Sequence, residues 1–163
     1  MKTKFMILII FIAITLICGC TQSDITKIDQ LSSQINSHLQ KGDDYYNQSA
    51  EDINNFDVNA SLQKCDNAFT EYNSARTLTS QAQSYAQSAQ DDVYNQYLQL
   101  VLSEIDAKLN ATSELRSAGQ SFLTGDNVTA NSNLRSANSM MVNAQEFQKQ
   151  KEQLVKENPS KFK

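Results

Sequence analysis

Apolar residues recur every three or four positions along most of the chain, and period-two alternation is almost absent. Ile25, Ile28, Leu31, Ile35 and Leu39 step along one helical face. Leu62, Cys65, Phe69 and Tyr72 do the same, followed by Val101, Ile105 and Leu109, then Leu115, Ala118 and Phe122. Leu134, Ala137, Met141, Ala144 and Phe147 form a fifth such series. Neither glycine nor proline falls between Gly42 and Gly119, or between Gly125 and Pro159. Long stretches without these breakers favour helix over strand, so the pattern predicts an all-α fold.

The breaks between helices follow from capping chemistry. Asn54-Asn55-Phe56-Asp57 reads as a turn, with Asp57 or Asn59 as the N-cap of the next helix. Thr124-Gly125-Asp126-Asn127 reads as a second. A helix unbroken between them would run to almost 100 Å at 1.5 Å per residue, with most of its apolar stripe uncovered. A further turn near Ser88-Ala89-Gln90-Asp91, capped by Asp91 or Asp92, removes that problem. The result is four segments of about 30 residues, the proportions of an antiparallel up-down four-helix bundle. The competing arrangement is a set of helical hairpins around one very long central helix.

The N-terminus has a different texture. Lys2 and Lys4 precede a run from Phe5 to Cys18 that only Thr15 interrupts. That is the tripartite pattern of an export signal, and it falls short of the roughly 20 apolar residues of a membrane span. The run closes on Ile17-Cys18-Gly19-Cys20, which resembles the lipobox of bacterial and archaeal lipoproteins. The competing reading is an uncleaved signal anchor. The resemblance implies that residues 1–19 are removed, that Cys20 is lipidated, and that the protein is anchored on the extracytoplasmic face of the cell membrane. Residues 20–23 then form the lipidated cysteine and tether, 24–158 the bundle domain, and 159–163 a basic C-terminal tail.

Loss of residues 1–19 removes Lys2 and Lys4 and no acid, leaving 12 basic against 18 acidic residues, a net charge of −6. Such a surface repels phosphate backbones, so nucleic acid is not an expected partner. Cys65 is then the one thiol left, and no intrachain disulfide can form. Tryptophan is absent and Ser, Asn, Gln and Ala abound, so the core is expected to be thin but folded.

Little in the chain resembles catalytic machinery. His38 is the single histidine, beside the Ile35 and Leu39 face, and Cys65 falls in register with Leu62 and Phe69. Asp43, Asp44, Glu51, Asp52, Asp57 and Asp126 gather near the turns, but without the spacing of a calcium loop. No glycine-rich phosphate loop or zinc-type set occurs. We therefore expect no catalytic residue, no metal and no cofactor.

Asn47-Gln48-Ser49, Asn59-Ala60-Ser61, Asn110-Ala111-Thr112 and Asn127-Val128-Thr129 are N-glycosylation sequons. In an up-down bundle all four fall in the half away from the tether, although roughly two or three are expected by chance. Lys149, Lys151, Lys156, Lys161 and Lys163 come down at the tether end, where they either meet anionic headgroups or complement a helix C-terminus. Tyr45, Tyr46, Tyr72, Tyr85, Tyr94 and Tyr97 suit either a partner interface or boundary positions with the ring inside. The small, amide-rich stretch Ser80–Ala89 permits either close helix packing or a partner helix. The function these features suggest is a structural or protein-binding role in the cell envelope, through another envelope protein or self-association. The alternative is a small-ligand-binding or sensory domain, with the ligand between helices.

Overall fold

The computed structural model describes the backbone of residues 2–162 and the side chains of residues 24–162. The expected export signal, the expected lipidation at Cys20 and the 20–23 tether fall on residues whose side chains lie outside those described, as does Lys163. Four helices follow in order: α1 (Lys2–Asn54), α2 (Val58–Ser88), α3 (Asp92–Leu123) and α4 (Asn127–Glu157). They pack consecutively as an antiparallel up-down bundle, α1 on α2, α2 on α3, and α3 on α4. No helix among the described residues is long and apolar enough to cross a membrane.

One turn design is used three times. Asp57, Asp91 and Asp126 are the N-caps, their carboxylates accepting from the backbone N–H of Ala60, of Val93 and Tyr94, and of Thr129. The preceding residue in each turn adopts positive φ: 61° at Phe56, 53° at Gln90 and 77° at Gly125. Each aspartate N–H donates back to the previous helix, at Asp52 O (2.9 Å), Ala86 O (3.1 Å) and Ser121 O (3.0 Å). The left-handed residue also donates, to Ile53 O, Gln87 O and Phe122 O. This is the Schellman pattern, closing one helix with the same residue that starts the next. The caps recur at intervals of 34 and 35 residues, which makes the last three helices nearly equal in length.

The packing seams run on a seven-residue repeat. In α2 the buried positions are Ser61, Cys65, Ala68, Tyr72, Ala75, Thr79, Ala82 and Ala86, alternating steps of four and three. In α1 Ile28, Ile35, Gly42 and Ser49 form one series of sevens, and Leu39, Tyr46 and Ile53 the other. The 3.5-residue mean spacing is that of left-handed coiled-coil packing. Small residues on α2 permit close approach of the neighbouring helices. The stretch Ser80–Ala89 therefore serves close packing, with Ala82 and Ala86 fully buried.

α3 buries two rows and α4 only one. On α3, Tyr94, Leu98, Val101, Ile105, Lys108, Thr112, Leu115 and Gly119 continue the four-three pattern, while Glu104, Ala111 and Ala118 add a second row of sevens. On α4 the buried row is Ala130, Ala137 and Ala144, with Leu154 near its end. Among the described residues, no Cα of α4 comes within 8 Å of α1 or α2. The fourth helix rests on α3 alone, and the bundle is open on its α1–α4 side.

The bundle thus has two distinct ends. The far end carries the α1–α2 and α3–α4 turns; the near end carries Asp24, the α2–α3 turn and the C-terminus. At the near end the chain folds back after Pro159. The Phe162 ring packs 5.1 Å from both Tyr94 and Tyr97, Tyr94 Oη donates to Lys161 O at 2.8 Å, and the Lys161 ammonium pairs with the buried Asp91.

Candidate functional site

One set of polar residues inside the bundle forms a chain of contacts across all four helices. It starts at Gly42, where α1 runs straight through a glycine. A Cβ there would lie 2.4 Å from the Tyr72 ring, so only glycine lets that ring lie across the α1 backbone. Tyr72 Oη donates to Asp43 Oδ1 at 2.8 Å, and Asp43 Oδ2 accepts from Lys108 Nζ at 2.7 Å. Lys108 Nζ also meets Glu104 Oε1 at 3.0 Å, one turn away on α3. The other Glu104 oxygen pairs with Lys151 of α4. Glu104 is 3% exposed and Lys108 6%, so both charges are out of water and each is neutralised by its neighbours.

The electrostatics follow from burial. Burial, and after it the Asp43 carboxylate, pushes the Tyr72 hydroxyl far above its ordinary value. Burial, then the Glu104 charge, also raises Tyr97. Tyr46 is pushed up to about 12 by burial and then by Cys65. These hydroxyls stay protonated, and Tyr72 acts as a hydrogen-bond donor. Two acids and two ammoniums balance across the layer, and its chemical capacity is to hold four helices in one register. Buried ionic contacts act this way because a slipped register strands a charge in the core.

Other candidates occupy structural positions. Cys65 is fully buried, and Ser49 Oγ lies 3.1 Å from its sulfur, 2.8 Å from Ser61 Oγ and 3.0 Å from Ser61 O. Burial pushes the Cys65 thiol up, against the lowering effect of the Ser49 contact, so it remains a protonated thiol. His38 Nδ1 sits 2.6 Å from Glu71 Oε2 in a half-buried α1–α2 pair. Among the described residues no three His, Cys, Asp or Glu side chains come together as a metal set. Asp44, Glu51 and Asp57 are exposed, Asp57 serving as an N-cap.

None of the six tyrosines is exposed. Tyr46, Tyr72 and Tyr94 are buried, and Tyr45, Tyr85 and Tyr97 are half-buried against the core. The Lys27 ammonium lies 4.7 Å over the Tyr85 ring, and Lys64 5.8 Å over Tyr45. The boundary alternative, rings inside, describes them. Three near-end lysines are also engaged, Lys151 with Glu104, Lys161 with Asp91, and Lys149 with Glu146 at 3.9 Å.

The sequons divide. Asn47, Asn59, Asn110 and Asn127 are all exposed and lie in the far half. Yet Ser49, Ser61 and Thr112, the hydroxyl residues of the first three, are fully buried. Ser49 and Ser61 bond each other across the α1–α2 seam, and Thr112 Oγ1 donates to Lys108 O at 2.8 Å. Packing alone accounts for those three residues. Only Asn127-Val128-Thr129 is exposed at every position in the folded chain.

The surface depressions are shallow troughs between neighbouring helices. One of about 560 Å³ runs between α3 and α4, lined by Ala107, Asn110, Met140 and Phe147 among others. Another, of about 400 Å³, lies against Tyr97 and Val155. No protein family, curated protein or solved structure matches this chain. Fold and site together define a small-residue-seamed helical bundle pinned by an internal ionic layer.

Proposed function

We propose that this protein is a lipoprotein, held by lipid on Cys20 to the extracytoplasmic face of a prokaryotic membrane. On this reading its bundle is a structural or protein-binding element of the cell envelope. The observation that carries the proposal is the N-terminal pattern: Lys2 and Lys4, the apolar run from Phe5, and Ile17-Cys18-Gly19-Cys20. With the anchor there, the α2–α3 turn and C-terminal clasp face the headgroups. The far end stands off by the length of α2, whose 31 residues span about 46 Å at 1.5 Å each.

The packing of the tyrosine rings against the helices favours a scaffold over the ligand-binding alternative. The inward tyrosines are packed, Tyr72 and Tyr94 also donate hydrogen bonds, and the Tyr72 ring is pressed on the α1 backbone. A sensory domain of this class needs a cleft between helices to hold its ligand. The direct test is metabolic labelling with a radioactive fatty acid or isoprenoid precursor, in wild type and Cys20→Ala. Label and membrane association are expected in the first and lost in the second. Equal incorporation in both overturns the assignment.

A further inference from the structure

The three turns share one backbone geometry but fill its left-handed position differently. Gly125 suits it, and Gln90 occupies it at the near end. At the α1–α2 turn the residue is Phe56, with φ 61° and 83% exposed. Nothing in the fold repays that choice, since the ring is not buried and a glycine would hold the turn with less strain.

Phe56 is not alone. Among the described residues four large hydrophobic side chains are strongly exposed, and three of them, Phe56, Leu123 (55%) and Val128 (82%), are at the far end. Gly119 packs against Ile53, Val58 and Leu62, so Leu123, one turn further along that face of α3, overhangs the α1–α2 turn. The two turn segments that carry them hold charges of one sign, although one Asp52 carboxylate oxygen is buried. Residues 50–60 and 119–131 contain Glu51, Asp52, Asp57 and Asp126 and no lysine or arginine. A backbone hydrogen bond from Thr129 holds the Asp126 carboxyl below its ordinary value, so it stays anionic.

We propose that the far end, centred on Phe56 with Leu123 and Val128, is a docking surface for a protein whose contact site is an apolar pocket rimmed by lysine or arginine. An exposed aromatic ring is the usual anchor of such a contact, and the acidic surround selects a cationic rim. The same charge repels anionic lipid, nucleic acid and a second copy meeting end to end. The inference deepens the protein-binding part of the proposed function but is independent of Cys20, so its failure leaves the labelling result untouched.

The chain has no tryptophan, so Phe56→Trp places a single fluorescent reporter at the surface. Full-length protein in zwitterionic-lipid nanodiscs is titrated with a synthetic peptide of alternating leucine and lysine, and with its leucine–glutamate counterpart. Empty nanodiscs serve as the blank. The account predicts a saturable blue shift with the lysine peptide alone. Calorimetry on Phe56→Gly should show at least fivefold weaker binding, with an unfolding temperature equal to or above wild type, which separates lost contact from lost fold. Equal binding by Phe56→Gly, or by the glutamate peptide, overturns the proposal. A dimer by sedimentation that disappears in Phe56→Gly also overturns it, in favour of a second copy as the occupant.

Discussion

α2 and α4 are each 31 residues long and seamed with small residues, yet they are held very differently. α2 lies between α1 and α3 and buries eight positions, both rows of its heptad. α4 touches α3 alone and buries four, three of them alanines spaced by seven. Its flanking Leu134, Met140 and Met141 are only partly covered, and Val142 is exposed. Alanine seams bring helices close but bury little apolar area per residue, so stability depends on how many neighbours share the seam. α2 is the spine of the bundle and α4 its loosest member, tied in by Lys151 on Glu104 and by the C-terminal clasp.

The largest break in this comparison comes from Tyr72→Ala, which empties the middle of the spine and unties Asp43. A loss of about 3–5 kcal/mol is expected in urea unfolding. Leu154→Ala on α4 should lie nearer 2 kcal/mol, the low end for large-to-alanine changes, because its site is at a helix end and can relax. Gly42→Ala forces the same ring from the other side and should cost about 1–3 kcal/mol as an overpacked core. Lys151→Ala should cost about 1–2 kcal/mol, since Lys108 still pairs with Glu104. Its effect should appear as faster amide exchange in α4, with the α1–α2 seam unchanged.

Two smaller effects sharpen the same contrast. The raised hydroxyls Tyr46, Tyr72, Tyr94 and Tyr97 lie on α1, α2 and α3 and none on α4. Stability from a raised folded value is fully present below the ordinary tyrosine value of 10.0 and lost as pH rises above it. Alkaline unfolding should therefore begin near pH 10, and Tyr72→Phe should shift its onset upward in circular dichroism. Phe56→Gly, which relieves a left-handed phenylalanine, should stabilise by up to about 1 kcal/mol, the left-handed strain offset in part by glycine's entropy.

The helices and their breaks were legible in the sequence because each depends on local chemistry. Asp57 and Asp91 cap where aspartate beside a polar turn said they would. The seams were harder to read. Leu62 and Phe69 drew attention as large apolar residues, whereas the buried row lies one position back at Ser61 and Ala68. Hydrophobicity marks what can be buried, but close-packed seams select for size. The ionic layer left a faint trace, since Glu104 and Lys108 interrupt the apolar face of α3 at core spacing. Their partners Asp43, Tyr72 and Lys151 come from three other helices, and no spacing rule within one helix connects them. Nothing in the sequence pattern around Gly42 shows that it clears space for a ring from another helix. That α4 packs on α3 but not α1 depends on how seams of different width close, which periodicity does not encode.

The central claim is a core packed around α2, between α1 and α3, with α4 supported from one side only. Amide hydrogen exchange followed by mass spectrometry on the full-length protein tests it most directly. The account predicts the slowest exchange in α2 around Tyr72 and in the facing stretches of α1 and α3, with α4 opening first as a unit. Protection in α4 equal to that in α2 would contradict it.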